Sequence, residues 1–221
     1  MKKNLVFFGS SSEVAKEAYK INSDCNIYRI TSNSSCTDFE LKVKDYIKES
    51  EKIINYLNNI ENPIIIFFNG FIAENRPIYY PTIEEIEKTL EINFFTPFYL
   101  TANILNSSLC KVDKFVYLSS FAATKLRDKN FIYGGSKLLL EKSIRSLEIS
   151  NYLFIRFGKI NTNFSNSHKK TYLDLKKESA AEILLDKALN KSGTIYPNLK
   201  IFFISLIIRC MPSKLIKFLK F

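Results

Sequence analysis

A single histidine, His168, stands in the whole chain, and no serine or acid is patterned around it. A Ser-His-Asp hydrolase would have to be built on that residue, which sets the class aside. The four cysteines, Cys25, Cys36, Cys110 and Cys210, are scattered and form no Cys-x-x-Cys pair. Such spacing implies reduced, mostly buried thiols rather than a zinc site or a disulfide framework, and no metal is expected. The first apolar run ends at Phe8, before Gly9, and is too short for a signal-peptide core, so a cytoplasmic protein is expected. Linkers rich in Pro, Gly or Ser are missing, as are internal repeats. Residues 1–198 therefore read as one domain and 199–221 as its tail.

What is present suits one globular domain: 221 residues, 46% hydrophobic and 24% charged, enough to bury a sizeable core. The 32 Lys and Arg against 22 Asp and Glu leave a formal charge of +10. That balance suits nucleic acid, a membrane surface or anionic small molecules. The basic residues are dispersed and no nucleic-acid motif is visible, so a small-molecule substrate is the expected partner.

Short apolar runs alternate with segments that are apolar at helical spacing. Strands are expected over residues 3–8, 25–31, 38–44, 63–68, 112–119, 152–156 and 193–197. Helices are expected over 12–21, 47–60, 82–108, 132–149 and 173–190, with a polar, mobile loop at 162–171. Pro97 falls inside the long third helix, where it kinks the helix or frees a carbonyl. The alternation predicts an α/β fold: a Rossmann-like, doubly wound, mostly parallel sheet of about seven strands with helices on both faces.

The first strand runs into Gly9, Ser10, Ser11, Ser12, Glu13, Val14 and Ala15. A tight turn into a helix N-terminus, with Ser12 placed as cap, presents backbone N–H groups to a dinucleotide pyrophosphate. An ordinary strand-turn-helix with an N-cap would read the same way. Past the second strand, Ser32 and its neighbours offer no acid until Asp38, and Arg29 lies close by, so a 2′-phosphate has room. Polar residues sit at the C-terminal edge of the expected sheet: Ser10 to Ser12, Asn69, Ser120 and Thr162. Tyr133 and Lys137 leave one helical face a turn apart, and an ammonium beside a phenol lowers the phenol's pKa and makes it a proton donor.

At this point the chain resembles the short-chain dehydrogenase/reductase family of single-domain type, over residues 3–197. The family's Asn, Ser, Tyr-x-x-x-Lys tetrad matches Asn93, Ser120, Tyr133 and Lys137, with spacings 120 − 93 = 27 and 133 − 120 = 13. Its Asn-Asn-Ala-Gly element matches Asn69 and Gly70 in part, between Phe68 and Phe71. Its Pro-Gly-x-Val-x-Thr element matches Phe157 to Thr162 with Phe in place of Pro, and its adenine-contacting Asp matches Asp45. Two of its three phosphate-turn glycines are replaced, by Glu13 and Ala15.

The resemblance implies hydride transfer between a nicotinamide and a carbonyl or alcohol carbon, with NADP(H) favoured over NAD(H). Tyr133 would be the acid/base, Lys137 would lower its pKa and hold the nicotinamide ribose, Ser120 would orient the substrate oxygen, and Asn93 would hold a relay water. Cofactor contacts are implied for Gly9, Ser10, Ser11, Ser12, Val14, Arg29, Ser32, Asp45, Asn69, Gly70, Ile160 and Thr162. A homodimer or homotetramer is implied as well. Competing readings are a catalytically silent NADP sensor on the same fold and a nucleic-acid-binding protein. A two-domain sugar-nucleotide epimerase has too little chain.

The tail is apolar from Ile201 to Ile208, too short to span a bilayer, which needs ~20 apolar residues. Lys214, Lys217 and Lys220 then alternate with Leu, Ile and Phe, which suits a helix in the membrane interface, or one packed on protein. The tail is similar to that of reductases from bacterial cell-surface polysaccharide pathways, which points to a sugar or lipid-linked sugar as substrate and a peripheral membrane location.

Overall fold

The computed structural model describes residues 2–22, 24–32, 39–72, 81–107, 111–126, 131–163 and 174–212. His168, Asp38, Cys36, Cys110, Lys214, Lys217 and Lys220 lie outside the described residues.

One sheet of seven strands forms the centre: β1 (Lys3–Phe8), β2 (Cys25–Thr31), β3 (Glu40–Lys42), β4 (Ile64–Phe67), β5 (Lys114–Ser120), β6 (Tyr152–Phe157) and β9 (Gly193–Ile195). Their order is β3-β2-β1-β4-β5-β6-β9, and every pairing is parallel. A separate two-stranded ribbon joins β7 (Ile160–Asn161) to β8 (Leu175–Lys176). The expected Rossmann-like, doubly wound α/β sheet is the architecture found.

Alternation of side chains explains why the central strands are apolar without a break. Leu5, Phe7, Ile64 and Ile66 pack under α1 (Glu13–Ile21) and α6 (Lys177–Asn190). Val6, Phe8, Ile65 and Phe67 point the other way, under α2 (Ser50–Leu57), α4 (Thr96–Asn106) and α5 (Phe131–Ser146). Alanines 15, 18, 180, 181 and 188 let α1 and α6 pack closely over the first face.

Strand order reverses between β1 and β4, which opens a crevice at their C-terminal ends. Gly9 ends β1 there with φ +73°, and a Cβ on it would stand 3.4 Å from both the backbone N and the Oδ1 of Asn69. Both the left-handed backbone and the close approach of Asn69 favour glycine at this turn.

The helix expected over 82–108 is broken. α3 (Ile83–Leu90) opens on a capping box between Thr82 and Glu85, and a π-helical turn, Glu91–Phe95, separates it from α4. Pro97 has no N–H to offer the carbonyl four residues back, and the ladder widens so that Thr96 N bonds Glu91 O. The bulge carries Asn93. Other expectations shorten as well: β3 covers only Glu40–Lys42, α2 only Ser50–Leu57 and β9 only Gly193–Ile195, and α6 begins at Lys177 after β8. The tail opens with α7 (Leu199–Cys210), capped by Asn198, whose Oδ1 accepts from Ile201 N at 2.9 Å. Among the described residues no helix is long and apolar enough to cross a membrane. Cys25 is a half-buried free thiol and Cys210 an exposed one, so the expected burial of thiols does not extend to the tail.

Close packing at the start of α5 is testable through adjacent glycines. A Cβ on Gly134 would meet the backbone O of Ala122 at 2.8 Å, whereas one on Gly135 meets nothing within 4 Å. Gly134→Ala is expected to lose about 1–3 kcal/mol in denaturant unfolding. Gly135→Ala is expected to gain about 0.5–1 kcal/mol from helix propensity.

Candidate active site

Four backbone ends meet at the crevice: the turn after β1, the segment after β4, the end of β5 and the first turns of α5. Parallel register delivers them to one edge, because β1, β4 and β5 all end pointing the same way. Tyr133 lies in the first turn of α5, and its phenol faces the Ser120 hydroxyl at the end of β5. Ser120 Oγ also accepts from Ala122 N at 3.1 Å, which holds the strand end in its turn. The tight fit of Gly134 on Ala122 brings the two segments together.

Lys137 is 4% exposed, and its ammonium donates to the Asn69 carbonyl at 3.0 Å. Burial pushes its pKa down to about 8, against the opposing pull of the Glu141 carboxylate. The Tyr133 phenol is pushed up from its ordinary value, because burial outweighs the Ser120 hydrogen bond. This corrects the expectation of a lowered phenol pKa. The ammonium is set on Asn69 rather than on the phenol, and the phenol is a neutral acid in this state.

Asn93 is fully buried, and its amide is used for structure. Nδ2 donates to Phe71 O at 2.7 Å and to Ser136 Oγ at 3.2 Å, while Oδ1 accepts from Phe71 N at 2.8 Å. Ser136 Oγ in turn donates to Tyr133 O at 2.8 Å. Asn93 therefore fixes the segment after β4 and, through Ser136, the first turn of α5. Both its amide hydrogens are taken by protein groups, so a relay water held at Asn93 would sit on its main chain.

The dinucleotide-binding expectations distribute unevenly. Gly9, Asn69 and Gly70 line the crevice at the strand reversal. Asn69 Oδ1 is buried without a hydrogen-bond partner among the described residues, an acceptor for which a ribose hydroxyl is a fitting donor. Ser12 caps α1 through Ala15 N at 3.2 Å, and Val14 packs into the core beneath. Ser10 is buried while Ser11 is exposed, both in the turn. Thr162 lies just past Ile160 in β7, its hydroxyl 3.4 Å from Ile160 O.

Glu13, placed where the family has glycine, turns its carboxylate across to the segment after β7. It accepts from Asn163 N at 2.6 Å and from Lys177 Nζ at 3.3 Å. The Asn163 N–H, above all, holds its pKa below the usual value, with Lys177 adding to the effect. A cleft of about 390 Å³ follows this flank of α1, lined by Ser10, Glu13, Lys16, Arg29 and Lys177 among others.

Arg29 stacks over the Tyr19 ring, 4.9 Å from its centroid, and pairs with Glu40 at 3.3 Å, so a 2′-phosphate would have to share it. Ser32 is exposed just past β2. Asp45 caps the turn toward α2, accepting from Ile47 N at 3.0 Å and Lys48 N at 3.1 Å; these bonds, Lys48's foremost, lower its pKa.

Sequence reasoning missed the group beneath Lys137. Glu141, fully buried, accepts from Arg156 Nε at 2.9 Å, from Arg156 Nη2 at 2.6 Å and from Ser119 Oγ at 2.6 Å. Arg145 adds a contact at 3.3 Å, and Arg156 reaches Tyr196 OH at 3.1 Å. A charge inside the apolar strand ending at Phe157, and an acid four residues past Lys137, were the available signals. Among the described residues no group of His, Cys, Asp and Glu could hold a metal ion.

The buried ammonium gives a pH test. Below pH 8 both folded and unfolded chains carry the Lys137 proton, and the fold bears the whole penalty of burying it. Between about 8 and 10.5 the unfolded chain binds more protons, so stability rises with pH as that penalty is relieved. Lys137→Met is expected to be more stable than the wild type by about 2 kcal/mol at pH 7, after allowing for the lost hydrogen bond. The advantage should shrink toward pH 10 in denaturant unfolding. A less stable variant at pH 7 would contradict it.

No family model and no curated protein sequence matches the chain. Solved structures do match. A short chain dehydrogenase from Burkholderia cenocepacia in complex with NADP superposes with TM-score 0.79 at 12% identity, over 99% of this chain and 98% of that one. A short-chain dehydrogenase/reductase of glucose/ribitol dehydrogenase type from Brucella melitensis gives TM-score 0.72 at 18% identity, over 91% and 99%. A 3-oxoacyl-[acyl-carrier protein] reductase from Brucella melitensis in complex with NAD gives 0.69 at 12%, over 92% and 98%. The chain has the fold of the short-chain dehydrogenases/reductases.

Proposed function

We propose that the chain is a nicotinamide-dependent oxidoreductase of the short-chain dehydrogenase/reductase type, acting between a carbonyl and its alcohol. One observation carries this reading: the Tyr133 phenol meets the Ser120 hydroxyl one turn from a buried Lys137, whose ammonium is set on Asn69 beside the Gly9 turn. An enzyme of this kind needs a proton donor, an oxygen-orienting hydroxyl and a cation at the cofactor edge. A silent sensor has no use for the first two.

A bound nicotinamide dinucleotide supplies or takes the hydride. Gly9 to Ser12, Val14, Asn69, Gly70, Ile160 and Thr162 would line its path, with Asp45 toward the adenine. Lys137 would hold the ribose and Ser120 the substrate oxygen. Tyr133 gives its proton to the developing alkoxide, and its raised pKa keeps it protonated at neutral pH, which suits reduction. NADP(H) is the favoured cofactor, supported by the missing acid after β2 and by Arg29 and Ser32. A sugar or lipid-linked sugar ketone is the proposed substrate, supported by the similarity of the tail. Exposed Phe95, Leu105 and Leu139 on and beside α4 and α5 support a homodimer or homotetramer.

Thermal shift with NADPH and NADH tests the cofactor. At a hundred times Kd the expected stabilisation is about 2.7 kcal/mol, larger for NADPH at equal concentration. No response to either cofactor would overturn the reading. Tyr133→Phe is expected to lower turnover of a carbonyl found by screening sugar ketones by ~10²–10⁴-fold, with the NADPH shift kept. Activity within a few-fold of wild type would remove Tyr133 from the acid role.

A further inference from the structure

Helix α7 is amphipathic in the wrong sense for a helix that faces water. Its buried stripe is narrow: Ile201, Ser205 and Ile208 at 1%, 2% and 4% exposure. The opposite side is apolar as well, with Leu199 at 73%, Phe203 at 56% and Ile207 at 62% exposure, joined by Phe202 and Leu206. At ~100° per residue these five side chains fill an arc of about 140° centred opposite the buried stripe. Arg209 falls about 20° beyond one edge of that arc and Lys200 about 20° beyond the other. An exposed apolar face bounded on both sides by cations is the arrangement of a helix lying in a lipid interface, where long basic side chains reach up to anionic headgroups.

Charge selects among the occupants of this face. All five charged residues from 199 to 221 are basic: Lys200, Arg209, Lys214, Lys217 and Lys220. A second copy of the same face would ring one apolar patch with four cations from the two helices and bring no acid to it. An anionic lipid surface supplies the missing charge along the whole face. We propose that α7 is a docking face for an anionic lipid surface.

The docking face is also tied to the candidate site. The Lys125 ammonium donates to Met211 O, at the C-terminal end of α7. Tyr196, just before α7, takes hydrogen bonds with Thr124 at 3.3 Å and Arg156 at 3.1 Å. Lys125 and Thr124 follow the turn that carries Ser120. On the function proposed above, docking holds the segment after Ser120 beside the lipid surface; the docking itself does not depend on that function.

Co-sedimentation of the full chain with vesicles tests the proposal without reference to catalysis. Wild type is expected to pellet with phosphatidylglycerol/phosphatidylcholine vesicles and at least ten-fold less with pure phosphatidylcholine. Phe203→Glu with Ile207→Glu is expected to abolish pelleting and keep the far-UV dichroism and melting of wild type, since both positions face outward. Ile83→Glu, at an exposed apolar position on α3, is the control and is expected to pellet like wild type. Pelleting unchanged in the double variant would overturn the proposal. So would a wild type that ignores anionic vesicles, including the case where the double variant instead converts an oligomer to monomer in light scattering, which would assign the face to a second copy.

Discussion

The bond from the Lys137 ammonium to the Asn69 carbonyl is the contact on which the site's geometry turns. It joins α5 to the one place in the sheet where strand order reverses. A charge withdrawn from water is unfavourable by itself, and it persists only where its donors are met. Asn69 can meet one of them because Gly9 leaves it space and because Asn93 pins Phe71, two residues on, at both its N–H and its carbonyl. Pro97 has its part in this, since the widened turn it imposes carries Asn93.

Below that bond lies a second buried charge pair of different character. The Glu141 carboxylate receives two nitrogens of Arg156, a serine hydroxyl and Arg145, so its lone pairs are satisfied inside the protein. A pair of this kind adds little net stability over an apolar substitute, because desolvation offsets the attraction. Its geometric effect is larger: it locks the register of α5 against β5 and β6, and through Tyr196 it extends to the base of α7. The two anchors, Asn69 at Lys137 and Arg156 at Glu141, hold α5 at positions about one turn apart. Tyr133 and Ser120 are held face to face as a result.

Electrostatics at the two titrating groups run in opposite senses from one cause. Burial favours the neutral form of each, which raises the phenol and lowers the amine. A neutral phenol facing a serine hydroxyl keeps a proton it can donate. Glu13 adds a local departure from the family pattern: its charge is answered by Asn163 and Lys177, so the turn after β1 carries a compensated carboxylate and not a bare one.

The sheet, its seven strands and the edge that carries the polar residues were legible because alternation and helical spacing are local properties of the chain. Tyr133 and Lys137 were legible for the same reason, as a pair on one helical face, and Ser120 as the polar end of an apolar strand. Tertiary structure alone decided where their hydrogens go. Nothing in the spacing shows that Asn69 would receive the Lys137 ammonium, that Asn93 would spend its amide on Phe71, or that Glu141 and Arg156, fifteen residues apart, would meet in the core. Those are contacts between elements, and burial sets their energies. The sequence determined which groups stand at the crevice; packing decided which of them are bonded to one another, and hence which protons they hold.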